Sequence, residues 1–274
     1  MDLLVQALVL GVVQGLTEFL PISSSGHLVL VPAMLGWRDP FLSSLAFAVM
    51  LHIGTLLALL VYFRADWLRL VPAGLALLRD RSTRNDPDRR LALLLAVTVV
   101  PAAIVGVLLN DLIEREVRAP GLVAVMLVIG AAILWLADRW GSRDRGVADL
   151  TVGSAIGIGI AQAAALVPGI SRSGISIAAG MFAGLDRAAA ARFSFLMAAP
   201  VIAGAGLFEA RRLVTGEVTL GAAPGPLMVG VLAAFLSGLA AIHFLLLYLR
   251  TNSVAPFVAY RIALAVVVAF WLLG

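Results

Sequence analysis

Two short stretches of this sequence carry the side chains that could do chemistry, and both interrupt apolar segments. The first is QGLTEFLPISSSGH, residues 14–27, and the second is PGISRSG, residues 168–174. Glu18 lies inside an apolar run, where a charge costs roughly 2.5–3.5 kcal/mol at the centre of a spanning helix, so it needs a partner or a function. Arg172 is its natural counterpart. The simpler alternative is a buried Glu–Arg pair that only holds two segments together.

The serines in both stretches indicate an anion site. Pro21 ends the first helix, and three serines follow it at the start of a short second helix. The first N–H groups of such a helix have no partner within it, and the helix dipole makes its end attractive to anions. Arg172 adds a planar fork that suits phosphate oxygens. Helix capping is the alternative for any one serine, but five serines in two matching breaks favour a doubly phosphorylated ligand.

The three histidines differ in their settings. His27 follows the serines, and it could serve either as a hydrogen-bonded partner of Glu18 or as a general acid or base, since imidazole titrates near neutral pH. We favour the second role. His52 and His243 lie inside apolar segments without a comparable polar setting, which predicts a structural role for both.

The elements that must position these residues are membrane helices. Of the 274 residues, 62% are hydrophobic and 13% charged, and the mean hydropathy is +1.04. Several runs exceed the roughly 18 apolar residues of a spanning helix. The sequence therefore predicts an all-α integral membrane protein with six spans, at 41–63, 91–109, 120–137, 190–209, 227–249 and 254–273. The N-terminus lacks the features of a cleavable signal peptide.

Composition also excludes some functions. The chain has no cysteine, so disulfides and thiol chemistry are absent. The net charge of +4 does not indicate nucleic acid binding.

Residues 2–36 and 151–185 predict a different element. Each region contains an apolar run, a break and a second run too short to span, which favours a re-entrant hairpin because non-helical backbone at membrane depth needs protein or water around it. A shift of 148 residues places Gln14 on Gln162, Ser23 on Ser171 and Ser25 on Ser173.

This match predicts two inverted-topology repeats, each a re-entrant hairpin followed by three spans. They cover residues 1–138 and 151–273 of one membrane domain, 1–274, and their broken segments should meet near the membrane midplane.

Arginines predict the orientation. All 20 basic residues are arginine, and seven of them lie in the segment 64–90. If this segment is cytoplasmic, thirteen arginines lie inside and five outside, as the positive-inside rule requires. Both termini then lie outside, the first hairpin enters from the outer face and the second from the cytoplasmic face.

The motifs GVVQGLTEFLPISSSGH and PGISRSG resemble the signature motifs of the bacterial undecaprenyl-diphosphate phosphatases of the bacitracin-resistance type. The resemblance extends through AGLDRAAAARFSFLMAAP to PFVAYR, and so covers essentially the whole chain. It implies a multi-pass enzyme of the bacterial inner membrane that hydrolyses undecaprenyl diphosphate to undecaprenyl phosphate, recycling the lipid carrier for peptidoglycan synthesis. It also implies a divalent cation, Mg²⁺ or Ca²⁺, and an active site open to the outer, periplasmic face.

The resemblance also implies roles for single residues. It puts the essential acid on Glu18, the candidate serine nucleophile on Ser24, the histidine on His27 and the arginine on Arg172. Two positions depart from the commonest pattern. Gln14 stands where many members have Glu, which argues against a metal site with two carboxylates. Ser176 stands where Thr is usual, a change that keeps the hydroxyl.

The sequence thus predicts one site with three sets of residues. The catalytic residues are Glu18, Ser24, His27 and Arg172, and the metal ligand is Glu18. The residues that bind the diphosphate are Gln14, Ser23, Ser25, Gly26, Ser171, Ser173, Gly174 and Ser176. In the predicted mechanism Ser24 attacks the terminal phosphorus, and His27, oriented by Glu18, takes the serine proton. Direct attack by water stays open as the competing mechanism.

The predicted partners are a prenyl diphosphate lipid and the bilayer, with no nucleic acid, and the sequence leaves a homo-oligomer open. Architecture alone favours a different class, a lipid-phosphate or anion transporter, because such transporters are built from inverted repeats with broken helices. The Glu–Ser–His cluster beside an arginine favours hydrolysis. A structural scaffold would not explain a buried glutamate and arginine.

Overall fold

The apolar runs fold into α-helices, since only a helix or a closed barrel satisfies backbone polar groups within lipid. The computed structural model describes residues 2–42, 44–80, 82–83, 86–116, 119–215 and 224–274, and no strand occurs in these ranges. The helices are α1 (Leu3–Phe19), α2 (Ser24–Met34), α3 (Leu45–Tyr62), α4 (Arg64–Ala76), α5 (Pro87–Glu116), α6 (Pro120–Trp140), α7 (Val152–Ala163), α8 (Arg172–Phe182), α9 (Arg187–Val214), α10 (Pro224–Tyr248) and α11 (Ala255–Leu273).

Five of the described helices are long and apolar enough to cross a membrane, namely α5, α6, α9, α10 and α11. They coincide with five of the six predicted spans. The sixth predicted span, 41–63, coincides with α3. Helix α3 is long and apolar enough to cross a membrane only when it is counted together with α4, and the axes of these two helices differ in direction by 90°. Part of the predicted loop 64–90 is therefore helix, since α4 begins directly after Phe63. Arg81, Arg84 and Arg118, which contribute to the predicted orientation, lie outside the described residues.

Both predicted breaks are observed. The first separates α1, of 17 residues, from α2, of 11 residues. The second separates α7, of 12 residues, from α8, of 11 residues, with a 3-10 turn at Ala164–Leu166. A helix of this shorter length reaches only about 16 Å at about 1.5 Å per residue, so neither α2 nor α8 can span a hydrocarbon core.

The helices that lead into the two breaks pack against partners far away in the sequence. Helix α1 packs along α10, and α7 packs along α5. Small residues allow a close approach in both cases. A side chain at Gly11 would collide with the backbone of Gly230, and a Cβ at Gly159 would lie 2.6 Å from the Thr98 carbonyl oxygen. Close backbone contact of this kind is typical of helix pairs in membranes.

Replacing Gly15 by valine should destabilise the fold through the α1–α10 contact. A Cβ at this position would lie 2.5 Å from the carbonyl oxygen of Ala234 and 2.7 Å from the N atom of Gly238, so the helices must separate. Overpacking of this kind costs about 1–3 kcal/mol. We expect a lower melting temperature in detergent. Gly157→Val is the control, because nothing lies within 4 Å of a Cβ there; equal melting temperatures for the two variants would show that the contact is not tight.

Candidate active site

The two short helices α2 and α8 begin with the same local geometry. Ser23 Oγ accepts a hydrogen bond from the N–H of Gly26 at 3.3 Å, and Ser171 Oγ accepts one from the N–H of Gly174 at 3.1 Å. Both serines have left-handed backbone, with φ values of 76° and 74°. This conformation costs a non-glycine residue about 1–3 kcal/mol and is concentrated at functional sites. For Ser23 and Ser171 the capping alternative is therefore the observed one.

The breaks also contact each other. Ser23 Oγ accepts a second hydrogen bond from the N–H of Gly169, at 3.1 Å, and Ser173 Oγ donates to the carbonyl oxygen of Leu20 at 3.0 Å. A serine of each break thus bonds to backbone at the other break. The predicted contact between the two broken segments is observed, and it brings the N-termini of α2 and α8 close together.

Glu18 lies where the two breaks are in contact, and this residue is only 5% exposed. Its Oε1 pairs with Nη2 of Arg172. Its Oε2 accepts hydrogen bonds from Gln14 Nε2 at 3.0 Å and from Ser24 Oγ at 2.5 Å. The predicted pairing of Glu18 with Arg172 is observed, and it places the hydroxyl of Ser24 on the other oxygen of the same carboxylate.

His27 is bound elsewhere, so the expectation that Glu18 orients it is wrong. Its Nδ1 lies 2.7 Å from the carbonyl oxygen of Ser23, one helical turn earlier, and its Nε2 lies 2.7 Å from the hydroxyl of Tyr260. A carbonyl oxygen can only accept, so Nδ1 carries the proton and Nε2 accepts from Tyr260. The two rings stack, with centroids 5.7 Å apart. His27 points back along α2, as helical side chains do.

His52, for which the sequence predicts no polar neighbours, has two in the structure. Its Nε2 lies 3.4 Å from Oε2 of Glu18, and its Nδ1 lies 2.7 Å from the carbonyl oxygen of Ala48. The packing of α3 beside α1 produces this contact, and no spacing in the sequence predicts it. His243 instead pairs with the hydroxyl of Tyr62 at 3.1 Å, away from the breaks.

The backbone donors free for an anion lie earlier in the helices than predicted. Gly26 and Gly174 were predicted to supply them, but both N–H groups donate to the capping serines. In the part of the chain that is described, four backbone N–H groups just before these glycines have no hydrogen-bond acceptor. They belong to Ser24, Ser25, Arg172 and Ser173. Free N–H groups at a helix end attract anions, and two such ends converge here.

The remaining predicted residues support the site in different ways. Ser25 Oγ lies 3.4 Å from Ser23 Oγ, and Ser173 Oγ lies 3.2 Å from Ser171 Oγ, so each break has a pair of hydroxyls. Ser176 is 1% exposed. It donates to the carbonyl oxygen of Arg172 at 2.6 Å and shares a hydrogen bond with Ser194, also at 2.6 Å, so its hydroxyl ties α8 to α9.

Sequence reasoning missed Arg261. This side chain is 0% exposed, and it donates to four carbonyl oxygens, which are those of Leu127 (3.2 Å), Pro21 (3.4 Å), Gly169 (2.7 Å) and Ile170 (2.9 Å). A signal was available, because an arginine in the middle of an apolar helix carries the same insertion cost as Glu18.

A divalent cation would find oxygen donors beside Glu18. No group of three or more His, Asp or Glu side chains suited to a metal occurs among the described residues. However, Gln14 Oε1 is buried and has no hydrogen-bond partner in the described chain, next to the Glu18 carboxylate and the Ser24 hydroxyl. These are hard ligands that suit Mg²⁺ or Ca²⁺, and they fit an ion that arrives with substrate phosphates better than a preformed metal cage.

Residues 7–267 match the sequence model of the family described as Bacitracin resistance protein BacA. A protein named undecaprenyl-diphosphatase from Moorella thermoacetica is 46% identical over 269 residues, which cover 97% of this chain and 98% of that protein. Proteins of the same name from Gemmatimonas aurantiaca and Alcanivorax borkumensis are 46% and 45% identical, over 96% and 97% of this chain and 96% and 98% of their own lengths.

Proposed function

Because the chain belongs to the bacitracin resistance protein BacA family, we infer that it is a membrane-embedded phosphatase acting on undecaprenyl diphosphate. It hydrolyses this lipid to undecaprenyl phosphate and phosphate. The product is the lipid carrier of peptidoglycan synthesis, and its renewal gives bacitracin resistance. We assign the catalytic roles from the contacts of the Glu18 carboxylate. One of its oxygens accepts a hydrogen bond from the Ser24 hydroxyl, and the other pairs with the Arg172 guanidinium.

In the proposed mechanism Glu18 is the general base. Its Oε2 takes the proton of Ser24, and Ser24 Oγ attacks the terminal phosphorus. The bond from this phosphorus to the bridging oxygen breaks, and undecaprenyl phosphate leaves with the proton that Glu18 took from Ser24. Glu18, ionised again, then takes a proton from water, which attacks the phosphoserine. The bond from phosphorus to Ser24 Oγ breaks, Glu18 returns the proton to Ser24, and phosphate is released. The 2.5 Å hydrogen bond between Ser24 and Glu18 favours this base over His27, whose Nε2 is occupied by Tyr260.

The substrate phosphates are held by the breaks. The free N–H groups of α2 and α8 donate to the phosphate oxygens, and Arg172 exchanges Glu18 for the diphosphate. Charge builds on the transferring group in the transition state, and fixed donors that face this charge supply the largest catalytic term. His27 acts as a positioning residue, since it holds the carbonyl oxygen of Ser23 in its strained cap.

Glu18 and Gln14 would hold a divalent cation together with the diphosphate oxygens. When bound, Mg²⁺ or Ca²⁺ supplies positive charge that offsets the charge of the phosphate groups.

The proposed architecture places these events within the inner membrane of a bacterium. Two inverted repeats, each a re-entrant hairpin with three spans, bring their breaks together near the midplane. The matching caps at Ser23 and Ser171, 148 residues apart, support the repeat, and the arginine-rich segment 64–90 supports a cytoplasmic location for α4. The substrate then enters from the outer, periplasmic face.

Purified protein in detergent should release phosphate from undecaprenyl diphosphate. A transporter has no gradient and no second compartment there, so the absence of phosphate release would favour the transporter and contradict the phosphatase. Ser24→Ala should lower the rate about a hundredfold, because the space it leaves admits a water molecule that Glu18 can still activate. The control is Ser154→Ala, a serine on α7 away from the breaks.

The second measurement traps the intermediate. Acid quenching during turnover of substrate labelled on its terminal phosphate should leave label on Ser24. Full activity in Ser24→Ala, with no label in the wild type, would identify water as the nucleophile.

A further inference from the structure

Arg261 is a buried charge without an ionic partner. No carboxylate in the described part of the chain lies within ion-pair distance of its guanidinium, and its side chain is among the largest that are fully buried. An unpaired buried charge is costly, and a neutral or salt-bridged residue would be the ordinary choice at such a position. Four carbonyl dipoles take the place of a counter-ion.

The four acceptors show what Arg261 connects. Pro21 belongs to the first break, Gly169 and Ile170 belong to the second, and Leu127 lies on α6. One guanidinium therefore joins both breaks to a spanning helix. Its planar fork can do this because its five N–H donors point in fixed directions.

The surroundings leave room for this side chain and little else. At Gly130 on α6, a Cβ would collide with Nη2 of Arg261, and it would lie 2.7 Å from the carbonyl oxygen of Ile170. At Gly174 on α8, a Cβ would lie 2.9 Å from Nη1. The guanidinium thus lies directly behind the start of α8.

We propose that Arg261 is a positioning residue that holds the two breaks in register, so that Ser24 and Arg172 face the same phosphate group. By binding the break carbonyls from behind, it keeps these negative dipoles turned away from the substrate and leaves the N–H groups of α2 and α8 on the substrate side. This role rests on the proposed phosphatase reaction. It differs from the role of Arg172, because Arg261 is enclosed by protein and reaches the phosphate only through the breaks.

The test compares Arg261→Lys and Arg261→Gln with wild type, using undecaprenyl diphosphate in detergent. A lysine keeps the charge but cannot span four acceptors, so kcat should fall about a hundredfold, as expected for a misplacement of reacting groups by about 1 Å. The glutamine variant should lose more. The fall in kcat should exceed the rise in KM, because a change of register misplaces the reacting groups most in the transition state. The matched control is Arg250→Lys, an exposed arginine at the cytoplasmic end of α10 in the proposed orientation.

A second pair of variants leaves Arg261 in place. Gly130→Ala should displace the guanidinium and also lower kcat, whereas Gly121→Ala on the same helix should not, because the nearest atom to its Cβ is 3.6 Å away. Melting temperatures establish that each variant is folded. Folded Arg261 variants with wild-type kcat would overturn the proposal, as would failure of all of them to fold while Gly130→Ala retains its kcat. An inactive wild type would instead overturn the phosphatase assignment.

Discussion

Glu18→Gln should lower kcat for undecaprenyl diphosphate hydrolysis about ten-thousandfold, the upper end of what a general base contributes. Glutamine has the size of glutamate and can still accept a hydrogen bond from Ser24, but it cannot take the proton of either Ser24 or water. Both chemical steps therefore lose their base. The measurement is single-turnover phosphate release in detergent, which separates chemistry from product release.

Glu209→Gln is the control for this variant. Glu209 is also a buried glutamate, 3% exposed, and it pairs with Arg212 at 3.2 Å, yet it lies at the far end of α9 rather than at the breaks. It should keep full activity. A Glu18→Gln variant that retained a tenth or more of the wild-type rate would assign the base elsewhere, and His52, 3.4 Å from the carboxylate, would be the first residue to examine.

Arg172→Met should reduce kcat/KM by about 10³–10⁵, the range seen when an arginine that faces a transferring phosphoryl group is removed. Methionine fills a similar volume but offers no donor. Arg172 is the first residue of α8, so its guanidinium lies beside the free N–H groups of that helix. Replacing it removes the only side-chain cation that the proposed mechanism places on the phosphate. Arg172→Lys should recover part of the rate, because an ammonium keeps the charge without bidentate geometry.

The ion pair complicates this variant, and a double variant resolves it. Removing one partner of a buried pair leaves the other unpaired, at a cost of about 3–5 kcal/mol. Arg172→Met should therefore also lower the melting temperature. Glu18→Gln combined with Arg172→Met should recover stability, since no buried charge is left alone, and it should be inactive because it also lacks the base. A double variant no more stable than Arg172→Met would show that the unpaired carboxylate is not the cause of the lower melting temperature.

The sequence predicts the centre of the site because a charged residue within an apolar segment is easy to recognise, and its transfer into the membrane costs free energy. Glu18 and Arg172 each stand out in an apolar setting, and the structure pairs them. The breaks are equally visible, since Pro21 and the serines interrupt runs that are otherwise helical. The five long spans follow from length and hydropathy alone.

Apart from the Glu18–Arg172 pair, the sequence does not predict which side chains of different helices are in contact. The bond from His27 to Tyr260 spans 233 residues, and those from Arg261 reach three different segments. His52 meets Glu18 only because α3 packs against α1. The right-angle bend at Phe63 is only partly visible in the sequence, because the apolar run ends there but nothing in it predicts that the chain continues as a helix, α4. These features depend on which surfaces pack together, and periodicity carries no information about that.

The closed Glu18–Arg172 pair has a consequence for the end of each catalytic cycle. In the resting enzyme the guanidinium already holds an anion of its own, so an incoming headgroup must compete with a tethered carboxylate. A diphosphate, with its greater charge, should compete better than the monophosphate lipid that remains after hydrolysis. Re-forming the Glu18–Arg172 pair should then displace the monophosphate, so the contact that neutralises both charges in the empty pocket should also favour product release.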